Sequence, residues 1–174
     1  WSSAMKPYLP CWILLIVAGC FSPALRAATC SISAPGLAFT TSYDPTSATD
    51  VTGIGNTVVN CSYTGIDVLF GSTVNIGLSH GSSGTFSLRT MKQGAQSLGY
   101  NLYLNPTATG TVFGDGSAGT GTYTLCYPGL FAGCSGNTGT SGQAFTIPVY
   151  GRLPAGQDIG AGSYSDSLIA TVTF

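Results

Sequence analysis

The sequence predicts an all-β domain, and three observations support that prediction. Charged residues make up only 6% of the chain, with five Lys and Arg against six Asp and no Glu. Helix surfaces are normally built from Glu, Lys, Arg and Gln, so their scarcity argues against an α-rich fold. The chain instead contains 25 Gly, and short alternating apolar stretches recur between clusters of turn residues. This combination is typical of a sandwich or barrel of antiparallel strands.

The alternating stretches, taken in chain order, define the predicted strands. In 73–79 the apolar residues Val74, Ile76 and Leu78 alternate with small or polar ones, and 98–104 alternates in the same way. Such alternation places one face of a strand in the core. Glycine-rich segments at 114–121 and 135–142 are predicted to be flexible hairpin tips. The predicted strands are 30–33 with a continuation at 37–40, 55–62, 73–79, 86–91, 98–104, 111–113, 122–126, 143–152 and 163–174.

The final stretch has the clearest alternation. Its apolar face is predicted to point into the core, while Ile169, Thr171 and Thr173 point the other way. Because a shift of one residue would exchange the two faces, this pattern determines which face of the strand packs against the core. The residues of the predicted apolar face are Leu168, Ala170, Val172 and Phe174.

Length and charge limit the possible partners. A chain of 174 residues suits one domain with a real core, and 44% hydrophobic residues argue against charge-driven disorder. The formal net charge of −1 leaves no basic stripe to displace counterions from nucleic acid. It also leaves no polybasic segment for an anionic membrane surface. We expect no nucleic-acid partner and no stable insertion into a membrane.

Residues 1–27 are predicted to be a secretory signal. Met5 and Lys6 resemble a true start, so residues 1–4 are interpreted as an upstream extension. An uncharged apolar run at 11–21 follows the positive charge, and small residues precede the predicted cut. These are the parts of an export signal, and the run is shorter than the roughly 20 residues that span a bilayer.

The predicted cut follows Ala27, with a cut after Ala28 as the alternative. The folded domain then comprises residues 28–174. A second alternative is a lipoprotein-type signal, because residues 17–20 (VAGC) would allow cleavage before Cys20 and a lipid on that cysteine. In each case the chain is exported.

Four cysteines remain beyond the predicted signal. An even number of cysteines in an exported chain indicates disulfides, and four of them allow three pairings. We predict a bridge from Cys30 to Cys61, which would join two neighbouring strands. We predict a second from Cys126 to Cys134, which would close a small loop. A four-cysteine zinc site is the alternative, but no Cys-x-x-Cys pair supports it.

No arrangement of residues in the sequence favours catalysis. His80 is the only histidine and lies in a turn, where Ser82 or Ser83 would have to act as the nucleophile. There is no Gly-x-Ser-x-Gly motif, no Glu for a pair of facing carboxylates, and the Asp residues lie beside turn residues or at polar strand positions. Residues 114–116 lack the spaced oxygen ligands of a calcium loop. We expect no catalytic residues, no metal and no cofactor.

Several passages together resemble a known family. They are the two strand cysteines Cys30 and Cys61, then 89–94 (RTMKQG), 98–103 (LGYNLY), 112–116 (VFGDG), 149–157 (VYGRLPAGQ), 162–168 (GSYSDSL) and the final 171–174 (TVTF). In order and spacing this set resembles the spore coat protein U family, the subunits of archaic chaperone–usher pili such as the Csu pilus. The resemblance covers essentially all of 28–174, and the loop closed by Cys126 and Cys134 is its less typical part.

The resemblance implies an incomplete immunoglobulin-like β-sandwich that is completed by a donor strand. A missing strand leaves an apolar groove and unpaired backbone groups, which a partner strand can satisfy. In the family a periplasmic chaperone lends that strand first, and another subunit replaces it at the outer-membrane usher. The chaperone contacts the last strand, which here carries Leu168, Ala170, Val172 and Phe174.

The resemblance also implies a function for the exported chain, as a structural or adhesive pilus subunit at the cell surface that supports attachment and biofilm formation. With cleavage after Ala27, only two residues would precede Cys30, too few for a donor strand. We therefore expect a subunit at or near the tip, or one half of a two-domain tip protein. Tyr127, Leu130 and Phe131 are candidates for an adhesive loop. The alternative is a stand-alone, lectin-like surface-binding module.

Overall fold

The computed structural model describes residues 27–174, so the predictions for the export signal lie almost wholly outside the described residues. The described chain forms eight strands, one short α-helix (α1) and one 3₁₀ turn. In order they are β1 (Ala27–Ala38), β2 (Val51–Thr64), α1 (Asp67–Phe70), β3 (Ser72–Leu78), the 3₁₀ turn (Gly81–Ser83), β4 (Arg89–Gln93), β5 (Gln96–Tyr103), β6 (Tyr123–Tyr127), β7 (Ala144–Leu153) and β8 (Ala170–Thr173).

The strands form two antiparallel sheets that enclose one core. The larger sheet has the order β1-β2-β7-β5-β4, and the smaller has the order β6-β3-β8. Alternating positions of β2, β3, β6 and β7 point between the sheets, as the sequence pattern predicts. The all-β prediction is therefore confirmed. The fully buried side chains of this core include Val59, Val74, Ile76, Phe113, Leu125 and Ile147.

Strand β1 pairs with β2 along most of its length and contains one irregularity. Cys30 lies opposite Cys61, and the register shifts between Ser33 and Gly36. The sequence predicted a break in the same place, between 30–33 and 37–40. Such a bulge leaves one strand locally unpaired and bends it.

The last strand is shorter than predicted. Only Ala170–Thr173 form β8, whereas the alternating pattern predicted a strand over 163–174. Residues before Ile169 leave this ladder because Ser165 exchanges both backbone hydrogen bonds with Lys92 of β4, in the other sheet. The segment therefore crosses from one sheet to the other before it becomes β8, and its alternation reflects contacts with both.

Two other predicted strands differ from the structure, and one helix was not foreseen. Strand β4 begins at Arg89 rather than at 86, and 111–113 make only isolated bridges, through Val112 and Phe113. Phe113 is nonetheless fully buried, so the apolar residues of this segment indicate burial in the core and not pairing with a neighbouring strand. Helix α1 has four residues, too few to produce a helical period in the sequence.

Candidate functional site

A cleft opens between β1 and β8, each of which lies at an edge of its sheet. Among the described strands, β1 forms a ladder only with β2, and β8 forms one only with β3. The other two edges are covered, β4 by the bridge to Ser165 and β6 by the chain at Asn137 to Gly139. Within the described part of the chain, β1 and β8 therefore have open edges, and residues of both strands border the same cleft. Unpaired edges of this kind are templates for another strand.

The cleft contains a cavity of about 360 Å³ that reaches the core. Both sheets contribute to its wall, and most of the wall is apolar. The bulge of β1 brings Gly36 to this wall with a positive φ of 101°. At Gly55, on β2, a Cβ atom would lie 2.7 Å from the carbonyl oxygen of Gly36, so a larger residue would displace the bulge. Further wall residues are Leu37, Leu78, Leu102, Val149, Leu168 and Ala170.

One wall of the cavity carries an acidic group held by neutral donors. The Asp166 carboxylate accepts hydrogen bonds from the Tyr100 hydroxyl (2.8 Å), the Ser82 backbone N–H (3.0 Å) and the Ser167 backbone N–H (2.9 Å). Burial, and then the hydrogen bond to Asp166, raises the pKa of Tyr100 well above its ordinary value. The phenol therefore stays protonated and keeps donating to the carboxylate.

Behind this wall lies Arg89, whose side chain is fully buried. Its guanidinium donates to the backbone oxygen of Ser79 through two nitrogens, to the Phe113 oxygen at 2.7 Å and to the Asn101 side chain at 3.1 Å. The guanidinium carbon Cζ of Arg89 lies 5.1 Å from the centre of the Phe86 ring. Burial lowers the pKa of Arg89, and nearby negative groups partly offset this. The buried positive charge of Arg89 is thus held by hydrogen bonds to uncharged acceptors.

Of the four residues assigned to partner contact, three border the core and one does not. Leu168, Ala170 and Val172 are partly buried and pack against the core, as their alternation predicts. Leu168 and Ala170 also line the cavity. Phe174 is 63% exposed and lies at a separate cavity beside Phe70. The prediction that Phe174 points into the core with the other three is therefore wrong.

The candidate adhesive loop is exposed at two of its three predicted residues. Leu130 and Phe131 are 74% and 72% exposed, whereas Tyr127 is 2% exposed. The Tyr127 ring packs 4.7 Å from the Tyr63 ring, because Tyr127 shares the inward face of β6 with Leu125. Tyr127 therefore belongs to the core and is not part of an exposed patch.

Helix α1 completes the apolar surface that the loop begins. Its Val68, Leu69 and Phe70 are also exposed, and the Phe70 and Phe131 rings lie 6.2 Å apart. The backbone N–H groups of Leu130 and Phe131 donate to the oxygens of Val68 and Leu69. We name this surface, formed by Val68, Leu69, Phe70, Leu130 and Phe131, the apolar pole.

Both predicted disulfides form. The Cα atoms of Cys30 and Cys61 are 4.1 Å apart, and those of Cys126 and Cys134 are 5.7 Å apart. The first bridge ties β1 to β2, and the second closes the loop that carries Leu130 and Phe131. The pairing predicted from the sequence is confirmed.

The described residues bring together no group of three or more His, Cys, Asp or Glu side chains that could hold a metal ion. His80 is exposed, and its Nδ1 lies 2.9 Å from the oxygen of Gly81. Among residues 27–174, no helix has the length and apolar character needed to cross a membrane.

Comparisons with known proteins agree with this architecture. Protein U of Myxococcus xanthus is 31% identical over 129 residues, which are 72% of this chain and 62% of that protein. A chain in the crystal structure of the CsuC–CsuE chaperone–tip adhesion subunit pre-assembly complex, from the archaic chaperone–usher Csu pili of Acinetobacter baumannii, has the same fold. It gives a TM-score of 0.50 at 17% identity, with 85% of this chain and 40% of that chain covered. The family model described as Spore Coat Protein U domain matches residues 18–171, and the chain therefore belongs to that family.

Proposed function

We propose that this protein is an exported structural subunit of a chaperone–usher pilus and that its cleft accepts a donor strand. The observation that carries the proposal is the position of two strand edges, β1 and β8, that no further described strand pairs with and that lie on either side of one mostly apolar cavity. A strand between them would extend the smaller sheet, and its alternate side chains would fill the cavity. Family membership and the fold shared with the Csu complex support this reading.

The direction of the donor strand follows from the sheet that it would join. Every ladder in both sheets is antiparallel, so we expect the donor to run antiparallel to β8. Strand β8 runs from Ala170, opposite Leu78, to Thr173, opposite Asn75 near α1. The donor would therefore enter near the apolar pole and end at the cavity. If the donor is the N-terminal extension of another subunit, the body of that subunit lies beyond the cavity end.

This geometry leaves the apolar pole at the opposite end from the neighbouring subunit. Strand β1 is already paired with β2 at Ala28, which lies opposite Tyr63. If the chain is cleaved after Ala27, as the sequence predicts, the first residues of the exported chain belong to β1 and are held in its own sheet. We therefore propose a position at the tip of the fibre, where the apolar pole contacts the surface to which the cell attaches. The partners are a periplasmic chaperone, the outer-membrane usher and other subunits.

The test is co-expression of the full chain with the chaperone of a pilus operon, followed by purification of the complex. The wild-type chain should give a one-to-one complex. Ala170→Asp places a negative charge in the cavity that already contains Asp166, which is costly to bury, and should reduce the yield of complex by about tenfold or more. Thr171→Asp is the matched control, because Thr171 is exposed on the same strand. No complex with the wild-type chain, or equal yields from both variants, would overturn the proposal.

The apolar pole gives a separate prediction for adhesion. The double variant Leu130→Ser with Phe131→Ser should bind octyl-coated beads at least about tenfold less tightly, because each side chain contributes about 1.5–3 kcal/mol when it is buried. Ile54→Ser is the control, since Ile54 is 63% exposed on a different surface. Retention on the beads, measured with the chaperone-free chain, gives the readout. Equal retention of the double variant and the wild-type chain would contradict an adhesive role.

A further inference from the structure

The wall of the cavity is mostly apolar, with some polar side chains such as Asn56, Thr57 and Tyr164, and the one charge that its described residues carry is negative. Among the described residues that line the cavity, Asp166 is the only charged one. Met91 of β4 contributes to the wall, whereas the neighbouring Lys92 is exposed. Successive side chains of a strand point to opposite faces, so Met91 and Lys92 point away from each other. The cavity therefore has an acidic group and no basic group to match it.

The Asp166 carboxylate is positioned but not neutralised. Its three hydrogen-bond donors are a phenol and two backbone N–H groups, all of them uncharged. Within residues 27–174, the structure shows an ion pair between Arg152 and Asp50 and none at Asp166. The buried Arg89 is attracted by the Asp166 charge at a distance, but it forms no ion pair with that carboxylate and donates its hydrogen bonds to the neutral oxygens of Ser79, Phe113 and Asn101. A carboxylate in such surroundings strongly favours a cationic partner.

We propose that the donor strand carries a Lys or Arg side chain that pairs with Asp166. This inference rests on the proposed function and adds the chemistry of the partner. The position of that side chain in the donor follows from the direction of the strand. Asp166 bonds to Ser82 and precedes Leu168, so it lies at the end of the cleft where β8 begins. A donor antiparallel to β8 reaches this end last. The cationic residue therefore lies at the C-terminal end of the donor segment, close to the body of its own subunit.

The test uses the full chain and three synthetic peptides of about twelve residues. Each has alternating Val and Thr, and the peptides differ only at one position near the C-terminus, which is Lys, norleucine or Glu. Fluorescence anisotropy gives the dissociation constants. Because a charge-assisted hydrogen bond is stronger than a neutral contact, the Lys peptide should bind about tenfold more tightly than the norleucine peptide. The Glu peptide should bind most weakly.

Two variants show whether Asp166 is the cause. Asp166→Asn removes the charge and should make the Lys and norleucine peptides bind equally well. Asp158→Asn removes the same charge at an exposed position outside the cavity and should leave the Lys preference intact. Equal binding of Lys and norleucine peptides to the wild-type chain would overturn this inference alone. If none of the peptides bound, the proposed donor site would fail as well. The wild-type comparison decides the question even if Asp166→Asn does not fold.

Discussion

Replacing Cys30 and Cys61 together by Ala is expected to lower the free energy of unfolding by about 3–4 kcal/mol. The bridge closes a loop with a sequence separation of 31 residues and so restricts the unfolded chain. The loss is a large part of the total, because small domains are stable by only about 5–15 kcal/mol. Urea denaturation of the purified, oxidised chain measures it as a lower midpoint, and the slope should rise because the unfolded chain without the bridge exposes more surface.

The same change should also impair the cleft. Among the described strands, β1 pairs only with β2, and the bridge is the covalent part of its attachment. Once β1 frays, one wall of the cleft is lost, and complex formation with the chaperone should fall together with stability. Removal of the bridge between Cys126 and Cys134 is the control. This second bridge closes a shorter loop, with a sequence separation of 8 residues. Its removal should therefore cost only about 2.5 kcal/mol and leave the cleft intact. Four free thiols in exported wild-type material, or equal midpoints for the two double variants, would contradict this account.

Alternation in the sequence predicted the strands well where one face of a strand meets the core. Strand β3 shows this clearly, since Val74, Ile76 and Leu78 are buried as expected. Strand β5 shows the limit, because residues from Leu98 to Leu102 are buried on both faces. The second face is covered by distant parts of the chain, for example Gln157, whose side chain bonds to the backbone of Gly99. Periodicity within a strand contains no information about such a cover.

The candidate site was predictable in its apolar part and not in its polar part. Leu168, Ala170 and Val172 could be assigned to one face because alternation orients a strand. The bond between Tyr100 and Asp166 joins residues 66 positions apart and arises only from the tertiary fold. The buried position of Tyr127 could have been inferred, because Leu125 lies two residues earlier on the same face of β6.

The burial of Arg89 could not be predicted from the sequence, because buried arginine is rare and the residues around Arg89 gave no sign of burial. Replacing Arg89 by Met is expected to lower the free energy of unfolding by about 3–5 kcal/mol, because three backbone or side-chain oxygens lose their donor. The change removes the guanidinium N–H groups that donate to the buried oxygens of Phe113 and Asn101. Each buried acceptor left without a donor costs about 1–3 kcal/mol. The methionine side chain fills much of the space of the arginine stem, so little packing is lost. The expected destabilisation therefore comes mainly from the lost hydrogen bonds.

Two further variants separate the hydrogen-bond geometry from the charge. Arg89→Lys keeps the charge, but an ammonium group cannot reproduce the planar array that bonds to Ser79, Phe113 and Asn101 together, so its loss should still exceed about 1.5 kcal/mol. Lys92→Met is the matched control, because Lys92 is exposed on the same strand and surface changes stay within about 0.5 kcal/mol. Urea midpoints of the three variants give the order. If Arg89→Met were as stable as Lys92→Met, the guanidinium would not hold β4 and β5 against the chain at Ser79 and Phe113, and the wall behind Asp166 would need another support.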